Sequence, residues 1–376
     1  MTPDETFMRM AIDVAKIGQS QTSPNPLVGA VVVRDGIVVG QGAHLRAGGP
    51  HAEVHALSMA GEAAQGSTIY VTLEPCNHYG RTPPCTQAIL QAGVKRVVVA
   101  SADHDPRTKN LGIAHLREAG LDVTVGVLEQ EAKRLNRSFF HRVDTGLPWV
   151  LYKSAMTLSG HTAADSGHSQ YVTGEKARQQ VQALRRCHPA IAVGIDTALA
   201  DDPRLTIRDE TGSAHGMLQP VRIVFDSQLR LPVHAKMLQE PGKTVVFTTE
   251  RARETAVQKV AQLASQGDVE IVATDERDGH VNLRQAFSHV AVRGWNSVLL
   301  EGGPTLAAAC FAEQLVDEVA MYIAPALLVS GKPALAGPGT KHMREAITLN
   351  SVEVEQVGDD WRFTGLVDYT SATNES

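Results

Sequence analysis

Apolar residues recur at helical spacing at Phe7, Ala11, Val14 and Ala15, with Gly18 beyond them as a stop, so the chain opens on an amphipathic helix. The period then changes. Two β-branched runs, 27–33 and 37–39, flank Asp35-Gly36, a dipeptide that favours a tight hairpin. Beyond them helical and extended patterns alternate: a helix over 52–64, a strand over 68–73, a helix over 85–92, a strand over 97–100, a helix over 113–119 and a strand over 123–127. Such alternation predicts a layered α/β domain. Turn chemistry at Thr145-Gly146-Leu147-Pro148 marks a linker. The alternation restarts after it, with a strand over 149–153, a helix over 175–186 and strands over 190–193, 221–225, 244–247, 270–272 and 297–300. The expectation is two α/β domains, 1–146 and 147–370, and a length of 376 residues agrees, because single cores rarely grow that large.

Composition narrows the classes. A chain that is 43% hydrophobic and 20% charged reads as globular and neither disordered nor fibrous. Its net charge of −6 argues against a nucleic-acid partner, although a local cluster of Arg and Lys still allows a small phosphorylated substrate. Four cysteines make no disulfide framework; Cys187 and Cys310 stand alone and read as core thiols, whereas Cys76 and Cys85 sit together beside prolines and a histidine. The start, Met1-Thr-Pro-Asp-Glu, lacks the basic-then-apolar pattern of a secretory signal, and no apolar run approaches the ~18–20 residues of a membrane span. A cytoplasmic protein without a membrane partner is expected.

The candidate chemistry lies in His51-Ala52-Glu53, Pro75-Cys76 and Pro84-Cys85. One imidazole and two thiolates supply three zinc ligands and leave a fourth position for water, the arrangement of catalytic sites. Zinc lowers the pKa of such a water to about 7. Glu53, two residues from a ligand, is placed to take the water proton and hand it to a departing amine. The competing reading is a structural zinc closed by His78 or His55, yet structural sites usually pair cysteines two to four apart, and here eight residues intervene.

The arrangement resembles that of the zinc nucleoside and nucleobase deaminases, whose pattern is His-x-Glu with a later Pro-Cys-x-x-Cys. The longer stretch between the cysteines, Asn77-His78-Tyr79-Gly80-Arg81-Thr82-Pro83-Pro84, is similar to that of bacterial bifunctional riboflavin-biosynthesis proteins, which join a diaminohydroxyphosphoribosylaminopyrimidine deaminase to a 5-amino-6-(5-phosphoribosylamino)uracil reductase. The resemblance extends over Pro24-Asn25-Pro26-Leu27-Val28-Gly29, His51-Ala52-Glu53-Val54-His55-Ala56 and Thr72-Leu73-Glu74-Pro75-Cys76, and over nearly the whole chain. It implies a cytidine-deaminase-like α/β/α layered domain in which Asn25, His44 and His78 line the pyrimidine pocket and Arg81 meets the ribose phosphate. From the residues alone, Asn25 also reads as a turn residue between prolines and His44 as a surface histidine at a strand end.

In the second half, Val298-Leu299-Leu300-Glu301-Gly302-Gly303-Pro304-Thr305-Leu306-Ala307 is an apolar strand meeting two glycines and an Ala-rich helix. Glycines permit close backbone approach and a helix start offers free amides to phosphate; a bare strand-to-helix turn is the alternative. No Gly-x-Gly-x-x-Gly occurs, which leaves a Rossmann domain unsupported. A charged loop, Leu199-Ala200-Asp201-Asp202-Pro203-Arg204-Leu205-Thr206, is the second candidate. The resemblance makes this half a dihydrofolate-reductase-like α/β domain. It implies NADPH contacts at Ala155, Tyr171, Thr197, Asp201, Ser227 and Gly303-Pro304-Thr305-Leu306-Ala307-Ala308-Ala309, and substrate contacts at Ser169, Arg185, Leu205, Arg208 and Glu301. Arg185 and Arg208 would suit the phosphate, while Lys153 and Glu301 would bracket the sugar carbon that accepts hydride. Such domains often pair through their sheets, so a homodimer is expected. One departure stands out: where the family often reads Ser-Leu-Asp-Gly, this chain has Thr157-Leu158-Ser159-Gly160. The rival readings are a nucleic-acid-editing deaminase with an unrelated C-terminal module, and a non-catalytic zinc scaffold.

Overall fold

Strand β1 (Gly29–Arg34) is buried at every residue but the last, because its two side-chain sets enter different cores. Ala30 and Val32 pack with Ala52, Ala56, Ile89 and Ile113, whereas Val31 and Val33 pack with Met8, Ala11, Ile12 and Ala132. A sheet covered on both faces reads as a continuous apolar run in place of an alternating one. The structure is a computed structural model; it describes residues 1–370 other than 20, 80–82, 106–107, 210–211 and 215. The chain divides into two compact units, Met1–Leu147 and Pro148–Ser376.

Among the described residues the first unit carries a five-stranded sheet. Beside β1 lie β2 (Ile37–Ala43) and β3 (Thr68–Leu73), both antiparallel to it, followed by β4 (Arg96–Ser101) and β5 (Asp122–Val125) in parallel. Helix α1 (Pro3–Ala15) opens on a capping box between Thr2 and Glu5 with Pro at its first turn, which satisfies amide groups a helix start otherwise leaves unpaired. Helices α2 (Ala52–Ala60), α3 (Cys85–Gln91) and α4 (Leu111–Glu118) cover the opposite face. The helix expected over 52–64 ends at Ala60 and continues as a 3₁₀ turn, Gly61–Ala64. Two further helices, α5 (Glu129–Leu135) and α6 (Arg137–Thr145), precede the boundary and had no expectation attached to them.

The second unit carries a nine-stranded sheet among the described residues. In spatial order its strands are Val269–Thr274, Thr244–Thr249, Val221–Phe225, Ala190–Gly194, Ser297–Glu301, Trp149–Thr157 and Glu318–Ala324, all parallel, then Asp360–Asp368 and Thr348–Val357, an antiparallel hairpin at the edge. The chain runs from the Trp149 strand past one vacant position to the Ala190 strand and later fills the gap with Ser297–Glu301. That reversal is the switch point at whose carboxyl ends α/β sheets bind ligands. No helix among the described residues is long and apolar enough to cross a membrane.

Candidate functional site

Three elements deliver the expected metal ligands. His51 is the residue before α2, Cys76 follows β3 and Cys85 is the first residue of α3. The Nδ1 of His51 lies 3.2 Å from Cys85 Sγ and 3.6 Å from Cys76 Sγ. Adjacent ligands of a tetrahedral zinc lie about 3.5–3.8 Å apart, so the trio fits that ion with shifts of only a few tenths of an ångström. Among the described residues the metal-competent group is His51, Cys76 and Cys85; neither His55 nor His78 joins it, which leaves the open fourth position of a catalytic site.

The protons of this trio are strongly redistributed. Hydrogen bonds from Cys85 and His51 hold the Cys76 thiol down at about 4. The Cys76 contact and burial push the Cys85 thiol up, and Cys76 raises His51. A divalent cation removes the penalty on the second thiolate, since a coordinating thiol is deprotonated outright. Glu53, in the first turn of α2, is 3% exposed. Burial pushes its pKa up to about 7, with negative Cys76 adding and His51 opposing. Its Oε2 has no hydrogen-bond partner, the state expected of a carboxylate whose partner is water or substrate.

What holds Cys76 escaped the sequence reading. Glu74, 7% exposed, accepts the backbone amides of Asp103, Asn110, Gly112 and Ile113 at 2.9–3.2 Å. The carboxylate two residues before a ligand is thereby tied to the start of α4. Gly112 is required there: a Cβ on it would stand 1.9 Å from the carbonyl oxygen of Pro75.

Around the metal group, His44 is 2% exposed, not the surface histidine its strand-end position allowed. Its ring meets that of His51 edge-on, with centroids 5.2 Å apart. Burial keeps it neutral, its Nδ1–H donates to Pro50 O at 3.1 Å, and its Nε2 therefore accepts from Asn25 Nδ2 at 3.0 Å. This tautomer leaves the Oδ1 of Asn25 as an acceptor. His78 is exposed, and Arg81 lies outside the described residues.

In the second unit, helices Ile195–Asp201 and Pro304–Ala312 begin at the carboxyl ends of neighbouring strands. Gly302 and Gly303 both have φ near +75°, at 73° and 76°, and a Cβ on Gly303 would press to 3.1 Å from Thr197 Oγ1. The turn is a cradle that a side chain would fill, as close approach of a cofactor phosphate to backbone requires. Ala155, Leu306, Ala308 and Ala309 are half-buried and Asp201 and Thr305 exposed, with Pro304 opening the second helix. Ala307 is fully buried. Tyr171 is 72% exposed with the Arg178 guanidinium over its ring, and Ser227 accepts the Val281 amide at 3.1 Å.

The substrate residues divide. Glu301 and Lys153 are paired neighbours on adjacent strands, and the Lys153 ammonium also lies 6.0 Å from the centroid of the Tyr322 ring. Arg185 is engaged within the protein. Its Nε and Nη2 donate to Glu301 at 2.7 and 2.8 Å and its Nη1 to Thr206 O at 3.0 Å, so its fork is already occupied. Arg208 is exposed. Leu205, 3% exposed, packs in the core, while Ser169 is half-buried. Ser159, where the family often has a carboxylate, bonds Thr157, His161 and both backbone groups of Leu328 at 2.9–3.1 Å, and so braces a turn.

Comparison with known proteins agrees with both units. The model of the cytidine and deoxycytidylate deaminase zinc-binding region matches residues 1–101, and that of the RibD C-terminal domain matches residues 148–363. The chain is 44% identical to the riboflavin biosynthesis protein RibD of Escherichia coli (strain K12) over 95% of this chain and 97% of that one, and 40% identical to its counterpart in Bacillus amyloliquefaciens over 96% of each. Among solved structures it is similar to Acinetobacter baumannii RibD, at 38% identity and TM-score 0.87, covering 97% of this chain and 99% of that one. It is also similar to a diaminohydroxyphosphoribosylaminopyrimidine deaminase/5-amino-6-(5-phosphoribosylamino)uracil reductase from Thermotoga maritima, at 32% identity and TM-score 0.84 with the same coverage. With a zinc-ligand trio in one unit, a glycine cradle in the other and relatives matched almost end to end, the chain belongs to the RibD family of riboflavin-biosynthesis proteins.

Proposed function

We propose that the first unit hydrolytically deaminates the pyrimidine ring of 2,5-diamino-6-(5-phosphoribosylamino)pyrimidin-4(3H)-one, and that the second reduces the ribosyl side chain of the product to ribityl. The observation that carries the reading is the buried Glu53 carboxylate, with a free oxygen, beside a three-ligand metal group. When bound, zinc polarises the attacking water and NADPH supplies the hydride. Glu53 then accepts a proton at Oε2 and returns it to the departing amine. Asn25 and His44 orient the ring, and Arg81 holds the phosphate. In the second unit Lys153 and Glu301 flank the sugar carbon, and Arg208 takes the phosphate. The Gly302-Gly303 turn and Thr197 receive the cofactor. A cytoplasmic homodimer belongs to the same proposal; the edge strand Thr348–Val357, exposed along nearly its whole length, supports the dimer.

The test follows ammonia release and NADPH oxidation separately on the pyrimidine substrate, for the native chain and for Gly303→Ala. The added methyl would occupy the cradle beside Thr197, so NADPH affinity should fall roughly 10-fold while ammonia release is unchanged. Unaltered NADPH affinity would remove the glycine turn from the cofactor site. A zinc-loaded chain that releases no ammonia would sink the deaminase reading.

A further inference from the structure

The segment that carries Asn25 precedes β1 and takes little support from the sheet. Leu27 has its backbone satisfied from far along the chain. Its amide donates to Asn136 Oδ1 and its carbonyl accepts from Asn136 Nδ2, each at 2.8 Å. Asn136 is 2% exposed and stands at the junction of α5 and α6, immediately before Arg137. One amide thus meets a donor and an acceptor on a single residue, as an adjacent strand would, and only one orientation of that amide satisfies both. From the same helix, Arg142 Nη2 donates to Pro24 O at 3.3 Å. Asn25 therefore lies between two points anchored to α6. On its other side it is tied to His44, whose side chain accepts from Asn25 and whose amide donates to Val28 O at 2.9 Å.

We propose that Asn136 is a positioning residue for the deaminase: by clamping Leu27 it sets the place of the Asn25 amide relative to His44 and the metal group, and so governs pyrimidine binding. This rests on the reading of Asn25 as a substrate ligand. A buried asparagine that merely satisfied the core would affect stability; one that positions Asn25 affects recognition of the substrate.

The experiment is a double-mutant cycle on the zinc-loaded full chain, using Asn25→Ala, Asn136→Ala and the pair. Asn136→Asp serves as the milder variant, because it keeps the volume and the acceptor for the Leu27 amide but not the donor. Deaminase KM and kcat, zinc content and reductase turnover on deaminated substrate are measured for each. Asn136→Ala should raise KM roughly 10-fold or more and change kcat by less than about threefold, with zinc and reductase turnover retained. Asn136→Asp should fall between it and the native chain. Because Asn136 acts through Asn25, adding Asn136→Ala to Asn25→Ala should raise KM by less than about twofold. A strong Asn25→Ala effect with unchanged KM in both Asn136 variants, or effects that multiply in the pair, would overturn the positioning role and leave the reading of Asn25 intact. An Asn25→Ala variant with native KM would overturn both.

Discussion

Each unit buries a glutamate at its centre, and the two are handled in opposite ways. Glu53 is 3% exposed, has an oxygen without a partner, and is pushed up to about 7 by burial. Glu301 is 9% exposed, and burial works to raise it as well, but the Arg185 fork and Lys153 outweigh burial and hold it below the usual carboxylate range. Burial therefore does not decide what a carboxylate does; the partner does. A buried acid with a free oxygen is poised to exchange a proton, whereas an acid gripped by a guanidinium is a permanent charge that orders its surroundings.

That contrast predicts different failures for the same isosteric change. Glu53→Gln removes only the proton shuttle. Deaminase turnover should fall roughly 10²–10⁴-fold, with zinc content and reductase turnover retained. Metal analysis beside ammonia release checks this, and loss of zinc would make Glu53 a ligand and break the contrast. Glu301→Gln instead leaves Arg185 and Lys153 as buried cations without a counter-charge, which should destabilise the second unit by about 3–5 kcal/mol. Trp149, Trp295 and Trp361 all lie in that unit, so the urea midpoint of tryptophan fluorescence reads it alone. An unmoved midpoint would mean that the pair is not structural.

A carboxylate paired in the same manner at the surface sharpens the point. Asp4 accepts both Arg96 nitrogens at 2.8–2.9 Å and the Tyr70 hydroxyl at 2.8 Å, and the Arg96 contact holds its pKa down. Solvent screening limits its worth to about 1 kcal/mol. A depressed pKa means that this stability is present in full above the ordinary aspartate value of about 4 and is lost as pH falls through the folded value. Asp4→Asn should therefore lower the urea midpoint for loss of deaminase activity slightly at pH 7, and the deficit should shrink when protein is challenged at progressively lower pH below 4 and assayed after return to pH 7. A deficit that persists or grows would count against the linkage.

The zinc trio was legible because its chemistry is written in short range: His-x-Glu on a helix start and two Pro-Cys pairs around the next helix. The glycine turn was legible for the same reason. Glu74 and Gly112 were not, because one looks like an ordinary acid in a strand-end motif and the other like a helix-weakening glycine until the fold sets them against each other. Arg185 was expected at the substrate from the resemblance, and the sequence did not show the Glu301 carboxylate that its Nε and Nη2 meet. The edge hairpin was passed over although Val352-Glu353-Val354-Glu355 alternates apolar and polar residues; both sets are exposed in the structure. Helices α5 and α6 hide behind charged surfaces, with pairs such as Glu129–Lys133 in place of a long apolar stripe.

The clamp between Leu27 and Asn136 also sets an order of events during synthesis. It joins residues 109 apart, whereas His51 and Cys85 are separated by 34. A chain emerges from its N-terminus at roughly 5–20 residues per second, so all three metal ligands are outside before the asparagine that arranges the pyrimidine loop. The extra entropy of closing the longer loop is small, about 0.6 kcal/mol per doubling, which leaves arrival time as the larger difference. On the proposed role of Asn136, the nascent first unit exposes His51, Cys76 and Cys85 before the residue that arranges its substrate loop.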